Sequence, residues 1–201
     1  MIFTLIDYGA GNLPSVERAL LRLGAQSERA ATPESIHSAT ALILPGVGHY
    51  AAFVGALDKQ NLRKPILKSV ERGVPFLGIC LGQQALYDSS AEAPELEGLH
   101  LLPGGVRSLP NDVKLPHMGW NTLRRKNTSR LLDGIVDDAY FYFAHSFAAC
   151  TSDSFTVASC SHGEEFAAVV EHKNIFGVQF HPEKSGDAGA RVLQNFLRLA
   201  A

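Results

Sequence analysis

Four times in roughly the first eighty residues, a short strand-like run gives way to a helix-forming stretch, and no other feature restricts the fold as tightly. Residues 2–6 are apolar and end in the glycine-rich turn Asp7-Tyr8-Gly9-Ala10-Gly11-Asn12. The next stretch has Pro14 in its first turn, Val16, Ala19, Leu20 and Leu23 on one face, and Gly24 as its stop. Residues 26–30 read as an edge strand, and Thr32-Pro33-Glu34 as a capped helix start. Residues 41–44 form a third strand that runs into Pro45-Gly46-Val47-Gly48-His49. Helical stretches follow at 51–57 and 62–72, and Gly73 ends the second. Residues 74–79 are again apolar and β-prone, and 81–87 is helix-forming. Alternation of this kind implies an open, mostly parallel sheet with helices on both faces. Ligands in such sheets bind beyond the carboxyl ends of the strands. The loop at Gly46–Gly48 and Cys80 both lie at such ends, so they are expected to meet.

From Gly98 the pattern changes. Short runs at 99–102, 106–109, 118–123, 140–147, 155–160 and 166–171 are broken by Gly, Pro and Asn, which predicts an added antiparallel layer. Residues 175–180 are the last strand, ending in His181-Pro182-Glu183. Ser185 or Asp187 is expected to cap a final helix with Leu193, Phe196 and Leu197 inside. The chain has 201 residues, and it reads as one α/β domain over 1–201. A formal charge of −2 argues against a polyanion-binding surface, so no nucleic-acid partner is expected. Three cysteines, Cys80, Cys150 and Cys160, suggest a reducing compartment and no disulfide framework. There is no C-x-x-C or H-E-x-x-H, and neither a metal nor a cofactor is expected. The first residues lack the basic region and cleavage site of a signal peptide, and no apolar run is long enough to span a bilayer. The expectation is a cytoplasmic protein without membrane contact.

The chemistry centres on Gly78-Ile79-Cys80-Leu81-Gly82, a G-x-C-x-G sequence where strand turns into helix. This is the nucleophile-elbow pattern with sulfur in place of a serine hydroxyl. The glycines remove side chains that would crowd the turn, and the helix start sets free N–H groups beside the sulfur. These N–H groups and the partial positive charge of the helix start favour a reactive thiolate. A cysteine nucleophile needs an oriented base. His181 ends a strand, as Cys80 does, and Glu183 stands two positions on, where an extended chain puts it on the same side. His145 is the rival base, with a structural or substrate-contacting role preferred for it. Gly9-Ala10-Gly11 lacks the third glycine of a dinucleotide fingerprint, which disfavours nucleotide binding.

GICLGQQ, the PGVG loop and GVQFHPEKS resemble the class I, triad-type glutamine amidotransferases. DYGAGNL, PHMGWN and FAHSF are similar, more narrowly, to the glutaminase subunits of imidazole glycerol phosphate synthases of histidine biosynthesis. The resemblance implies a flavodoxin-like glutaminase fold and L-glutamine as substrate. It implies a Cys80-His181-Glu183 triad acting through a thioester, and an oxyanion site from the Leu81 N–H with one from Val47 or Gly48. It places Gly46, Gln84, Glu92, Ser146 and Phe147 at the glutamine, with Ser146 and Phe147 acting through backbone. It implies a heterodimer with a (β/α)₈ cyclase, with Asn12, Trp120, Tyr142 and Lys184 at the interface. Gln83 and Phe147 depart from residues common in the family, Met and Tyr. A glutaminase of another pathway, such as anthranilate or pyridoxal phosphate synthesis, is the alternative enzyme. A non-catalytic partner-binding module on the same fold is the alternative class.

Overall fold

The computed structural model describes residues 2–152 and 154–200. The first half alternates as the sequence predicts. Strand β1 (Ile2–Ile6) leads to helix α1 (Leu13–Arg22), β2 (Gln26–Ala30) to α2 (Pro33–His37), and β3 (Leu42–Gly46) to α3 (Tyr50–Lys59) and α4 (Arg63–Glu71). Strand β4 (Phe76–Cys80) runs straight into α5 (Leu81–Gln84). Thr32 accepts from the Ser35 N–H in a capping box that starts α2.

Helix α5 is shorter than the expected 81–87. The Ala85 carbonyl accepts from Leu99 N–H, and the Leu86 carbonyl from the N–H groups of Leu101 and Leu102. These acceptors are what a continuing helix would use for its own next turn. The same bonds explain why 99–102, expected as a strand, forms none.

The second half supplies β5 (Ser89–Ser90), β6 (Gly105–Ser108), β7 (His117–Thr122), β8 (Arg124–Arg125), β9 (Tyr140–His145), β10 (Phe147–Ala149), β11 (Thr156–His162), β12 (Glu164–His172) and β13 (Ile175–Val178). A single 3₁₀ turn (Pro182–Lys184) precedes α6 (Gly186–Ala200). The central sheet has eight strands in the order β2-β1-β3-β4-β13-β12-β11-β8. It is parallel from β2 to β13 and antiparallel beyond, so part of the added antiparallel structure extends the main sheet edgewise. The rest is a β7–β9 ribbon and a small sheet of β10, β6 and β5. The expected run 140–147 divides at Ser146, and its two parts join different sheets.

The parallel strands are buried on both faces. Phe3, Leu5, Ile43, Leu77 and Ile79 point to one side, against Leu13, Val16 and Leu20 of α1 and Val192, Leu193 and Phe196 of α6. Leu42, Leu44 and Phe76 point to the other, against Phe53, Val54 and Leu57 of α3 and Ile66 of α4. This is why these strands read as continuous apolar runs instead of alternating ones. Among the described residues, no helix is long and apolar enough to cross a membrane.

The register aligns Gly46 with Cys80, and Val178 with Ile79, so β3, β4 and β13 end on one rim. At that rim backbone passes directly against backbone. A Cβ on Gly82 would overlap the Leu44 carbonyl oxygen, and one on Gly46 would stand 2.7 Å from the Gly82 nitrogen. Exposed Gly55, in the middle of α3, has no atom within 4 Å of a Cβ. Gly82→Ala is therefore expected to destabilise the protein by about 2 kcal/mol or more through overpacking. Gly55→Ala is expected to stabilise it by roughly 0.5–1 kcal/mol through helix propensity. Urea unfolding midpoints of the two variants check both signs.

Candidate active site

Cys80 adopts φ 55° and ψ −108°, in the left-handed half of backbone space. For a residue with a Cβ this is strained by about 1–3 kcal/mol. The strain is that of a strand converted to a helix within one residue, and it brings the sulfur to the start of α5 beside the Leu81 N–H. Gly78 and Gly82 make the turn possible, since a Cβ on Gly78 would run into the backbone of Gly82 and Gln83.

His181 follows the end of β13, with its N–H bonded to the Tyr142 carbonyl at 2.9 Å. Its Nδ1 lies 2.9 Å from Glu183 Oε1, and the ring is near enough to the Cys80 side chain for the two to influence each other's charge. The side chains of His181 and Glu183 are 4% and 1% exposed, so their interaction is poorly screened by solvent. Burial, the largest single influence, pulls the imidazole pKa down. The hydrogen bonds and charges of Cys80 and Glu183 together outweigh it and hold His181 up at about 10, from an ordinary 6.5. The three predicted triad residues therefore converge, but the route differs in one respect. His181 is extended, whereas Glu183 reaches it through the 3₁₀ turn, closed by Lys184 N–H on the His181 carbonyl, and not along a continued strand. Pro182 favours this turn because its fixed φ suits a first helical position.

A cavity of about 300 Å³ opens over Cys80. Val47, Gly48, Leu81, Gln84, Glu92, Ser146 and Phe147 line it together with Cys80 and His181, and so does Lys184, which the sequence reading had assigned to a partner interface. Gly46 does not line it; the residue sits one step behind, packed on Gly82. Gly48 has φ +92°, and no atom lies within 4 Å of where its Cβ would be, so the loop has room to rotate its peptide groups. Glu92 is half-buried and accepts from the Tyr50 N–H at the start of α3, which leaves its other oxygen for a ligand. The Ser146 carbonyl accepts from Leu109 N–H, and the Phe147 carbonyl from Gln84 Nε2 and His145 Nδ1. Backbone recognition by these two residues thus falls to N–H groups. Gln83, the first departure, is fully buried and donates to the Ala167 carbonyl, away from the cavity.

His145 is unsuited to act as a base. Its Nδ1 must donate to the Phe147 carbonyl, which can only accept, and its Nε2 accepts from His117 Nδ1 at 3.1 Å. Burial pushes His145 down to about 3 and His117 to about 4, so both stay neutral. Of the four residues expected at a partner interface, Asn12 donates to Glu183 Oε1 at 3.4 Å, and Lys184 lines the cavity with its ammonium 5.6 Å from the Tyr142 ring centre. Trp120 is 55% exposed and meets Tyr142 edge to face.

Sequence reasoning missed Pro116 and Ala144 in the cavity wall, and Gln179 beneath it. Gln179 stands two residues before His181, so strand periodicity was the signal that would have found it.

The chain has counterparts among known proteins. Residues 4–200 match the family model described as "Glutamine amidotransferase class-I". The chain is 45% identical over 193 residues to the imidazole glycerol phosphate synthase subunit HisH of Desulfitobacterium hafniense (strain Y51), covering 96% of this chain and 92% of that one. It is 44% identical over 198 residues to the protein of the same name from Methanothermobacter thermautotrophicus, covering 98% of each. Among solved structures, a crystal structure of a glutamine amidotransferase superposes with a TM-score of 0.79 at 20% identity, covering 100% of this chain and 99% of that one. The structure titled PurLQS from Thermotoga maritima gives 0.77 at 22% identity, with 100% and 99% covered. At such identities these two structures speak for the fold alone.

The His181 value gives a signed pH dependence. It is raised on folding, so its contribution to stability is fully present below about pH 6.5 and is lost as pH climbs through about 10. The stability difference between wild type and His181→Asn is expected to shrink across that window. Urea midpoints measured from pH 6 to about 10 read it out.

Proposed function

The chain belongs to the class-I glutamine amidotransferases, and on that premise we infer that it is the glutaminase subunit of an imidazole glycerol phosphate synthase in histidine biosynthesis. Relatives of that name at 41–45% identity, covering nearly the whole chain, support the pathway. The observation that carries the chemistry is that Cys80 and His181 line one cavity, with Glu183 bonded to the imidazole.

Glutamine binds with its carboxamide over Cys80 and its ammonium toward Glu92. Sγ attacks the carboxamide carbon, and the developing oxyanion is met by the Leu81 N–H and by one from Val47 or Gly48. His181, held as imidazolium by Glu183, gives its proton to the leaving nitrogen as the C–N bond breaks. Ammonia departs and a glutamyl thioester remains. Neutral His181 then takes a proton from water, the hydroxyl adds to the thioester carbon, and the C–S bond breaks. Glutamate leaves, and thiolate and imidazolium are restored.

Free ammonia in water takes up a proton and loses its lone pair, so a useful site delivers it directly to a second active site. The β7–β9 ribbon offers the surface for that. Register pairs Met118 with Ala144, Trp120 with Tyr142, and Thr122 with Tyr140. Met118, Trp120 and Tyr140 are exposed, and the alternate residues His117, Phe141, Phe143 and His145 are in the core. An aromatic-rich face beside the cavity mouth, with Lys184 next to it, suits docking of the (β/α)₈ cyclase subunit.

Glutamate release with and without the purified cyclase tests this reading. Cys80→Ala is expected to abolish it in both. The chain alone is expected to be slower than the ligand-loaded complex by about tenfold or more, since partner binding selects the loop conformation with its N–H toward the oxyanion. Fast release by Cys80→Ala, or a partner other than a cyclase in co-purification, overturns it.

A further inference from the structure

We propose that Gln179 is an additional working member of this site, donating a hydrogen bond from its side-chain amide to Cys80 Sγ and so supporting the sulfur as a nucleophile. The contact is 3.6 Å, and Gln179 is fully buried at the end of β13. The inference rests on reading Cys80 as the nucleophile.

The network itself fixes which amide atom faces the sulfur. The Phe147 carbonyl can only accept, so the Gln84 atom 2.7 Å away is the donor Nε2. That same Nε2 lies 3.1 Å from the Gln179 amide, so the Gln179 atom there is Oε1. Nε2 of Gln179 is then left for Cys80. His145 Nδ1, donating to the same Phe147 carbonyl, holds that end of the chain in place. The path from Gln84, in the cavity wall, to the nucleophile is thus two buried amides in a fixed orientation.

A buried thiolate is costly unless donors surround it. The titratable groups facing Cys80 are His181 and, from the loop after β1, Tyr8. His181 surrenders its proton midway through the reaction, and among the described residues the Tyr8 hydroxyl makes no hydrogen bond to the sulfur. The Gln179 amide keeps its protons at any working pH, so it is a donor to sulfur in both half-reactions.

The test uses the full chain in complex with the cyclase. Gln179→Met keeps length and bulk without an N–H, and Gln179→Glu keeps shape and sets a carboxylate against the sulfur. Alkylation of Cys80 by iodoacetamide, followed on its own peptide by mass spectrometry, reads the thiol without requiring glutamine. Both variants are expected to react about tenfold more slowly than wild type at neutral pH, the loss of a donor to a charged group. The deficit should shrink for Gln179→Met as pH is raised. Glutamine kcat should fall by a similar factor while KM stays within about twofold. Wild-type alkylation rates at neutral pH overturn the proposal. So does an equal slowing at every pH with raised KM, which would make Gln179 a packing residue. Normal alkylation behaviour without any glutamine turnover in the wild-type complex would instead count against the glutaminase reading.

Discussion

Backbone pressed against backbone at the rim of the sheet is the contact on which the rest of the molecule depends. Gly82 lies on the Leu44 carbonyl and Gly46 on the Gly82 nitrogen, so the end of β3 and the start of α5 are closer than any side chain would permit. That approach accompanies the strained conformation of the chain at Cys80 and sets the end of β3 level with that residue. Parallel pairing of β3, β4 and β13 then carries Cys80 and His181 to a common edge. The strain is confined to one residue and is offset by strands buried on both faces.

Two electrostatic regimes meet in the cavity. On one side His181 is kept charged by Cys80 and Glu183 in spite of burial. On the other, His145 and His117 are kept neutral by burial, and together with Gln84 they form a fixed network of directed hydrogen bonds. The first regime suits proton transfer. The second suits holding a shape, because neutral groups with assigned donors and acceptors have one favourable arrangement.

The β7–β9 ribbon, the start of α1 and the triad loop share hydrogen bonds. Asn12 is the N-cap of α1 yet makes no side-chain cap bond; its amide points to Glu183 instead. Ser185, expected as a possible cap for α6, accepts from the Tyr142 N–H and donates to the His181 carbonyl. Asn12 thereby ties the start of α1 to the triad loop, and Ser185 ties that loop to the β7–β9 ribbon. A protein docked on that ribbon would therefore press on the same strand that supports His181.

How much could be read in advance varied with the range of the interactions. The alternation of strand and helix, the elbow at Cys80, the capped start of α2 and the edge position of β2 depend on neighbours in sequence, and each was legible there. The early end of α5 was not, since segment 98–102 takes its carbonyls from a distance. Nor was the 3₁₀ route from His181 to Glu183, because Pro182 is compatible with both an extended chain and a turn. Gly46 looked like a ligand contact and proved to be a spacer, for its role is set by Gly82, 36 positions along the chain.

By itself, the sequence determined that Cys80 and His181 stand at the ends of strands on one rim, since periodicity and turn residues act over a few positions. Only the tertiary structure decided that Gln179 touches the sulfur, that His145 has no free nitrogen, and that Asn12 serves Glu183. Those outcomes depend on which donor and acceptor are brought within about 3 Å across strands far apart in sequence, a distance at which direction and partner decide a hydrogen bond.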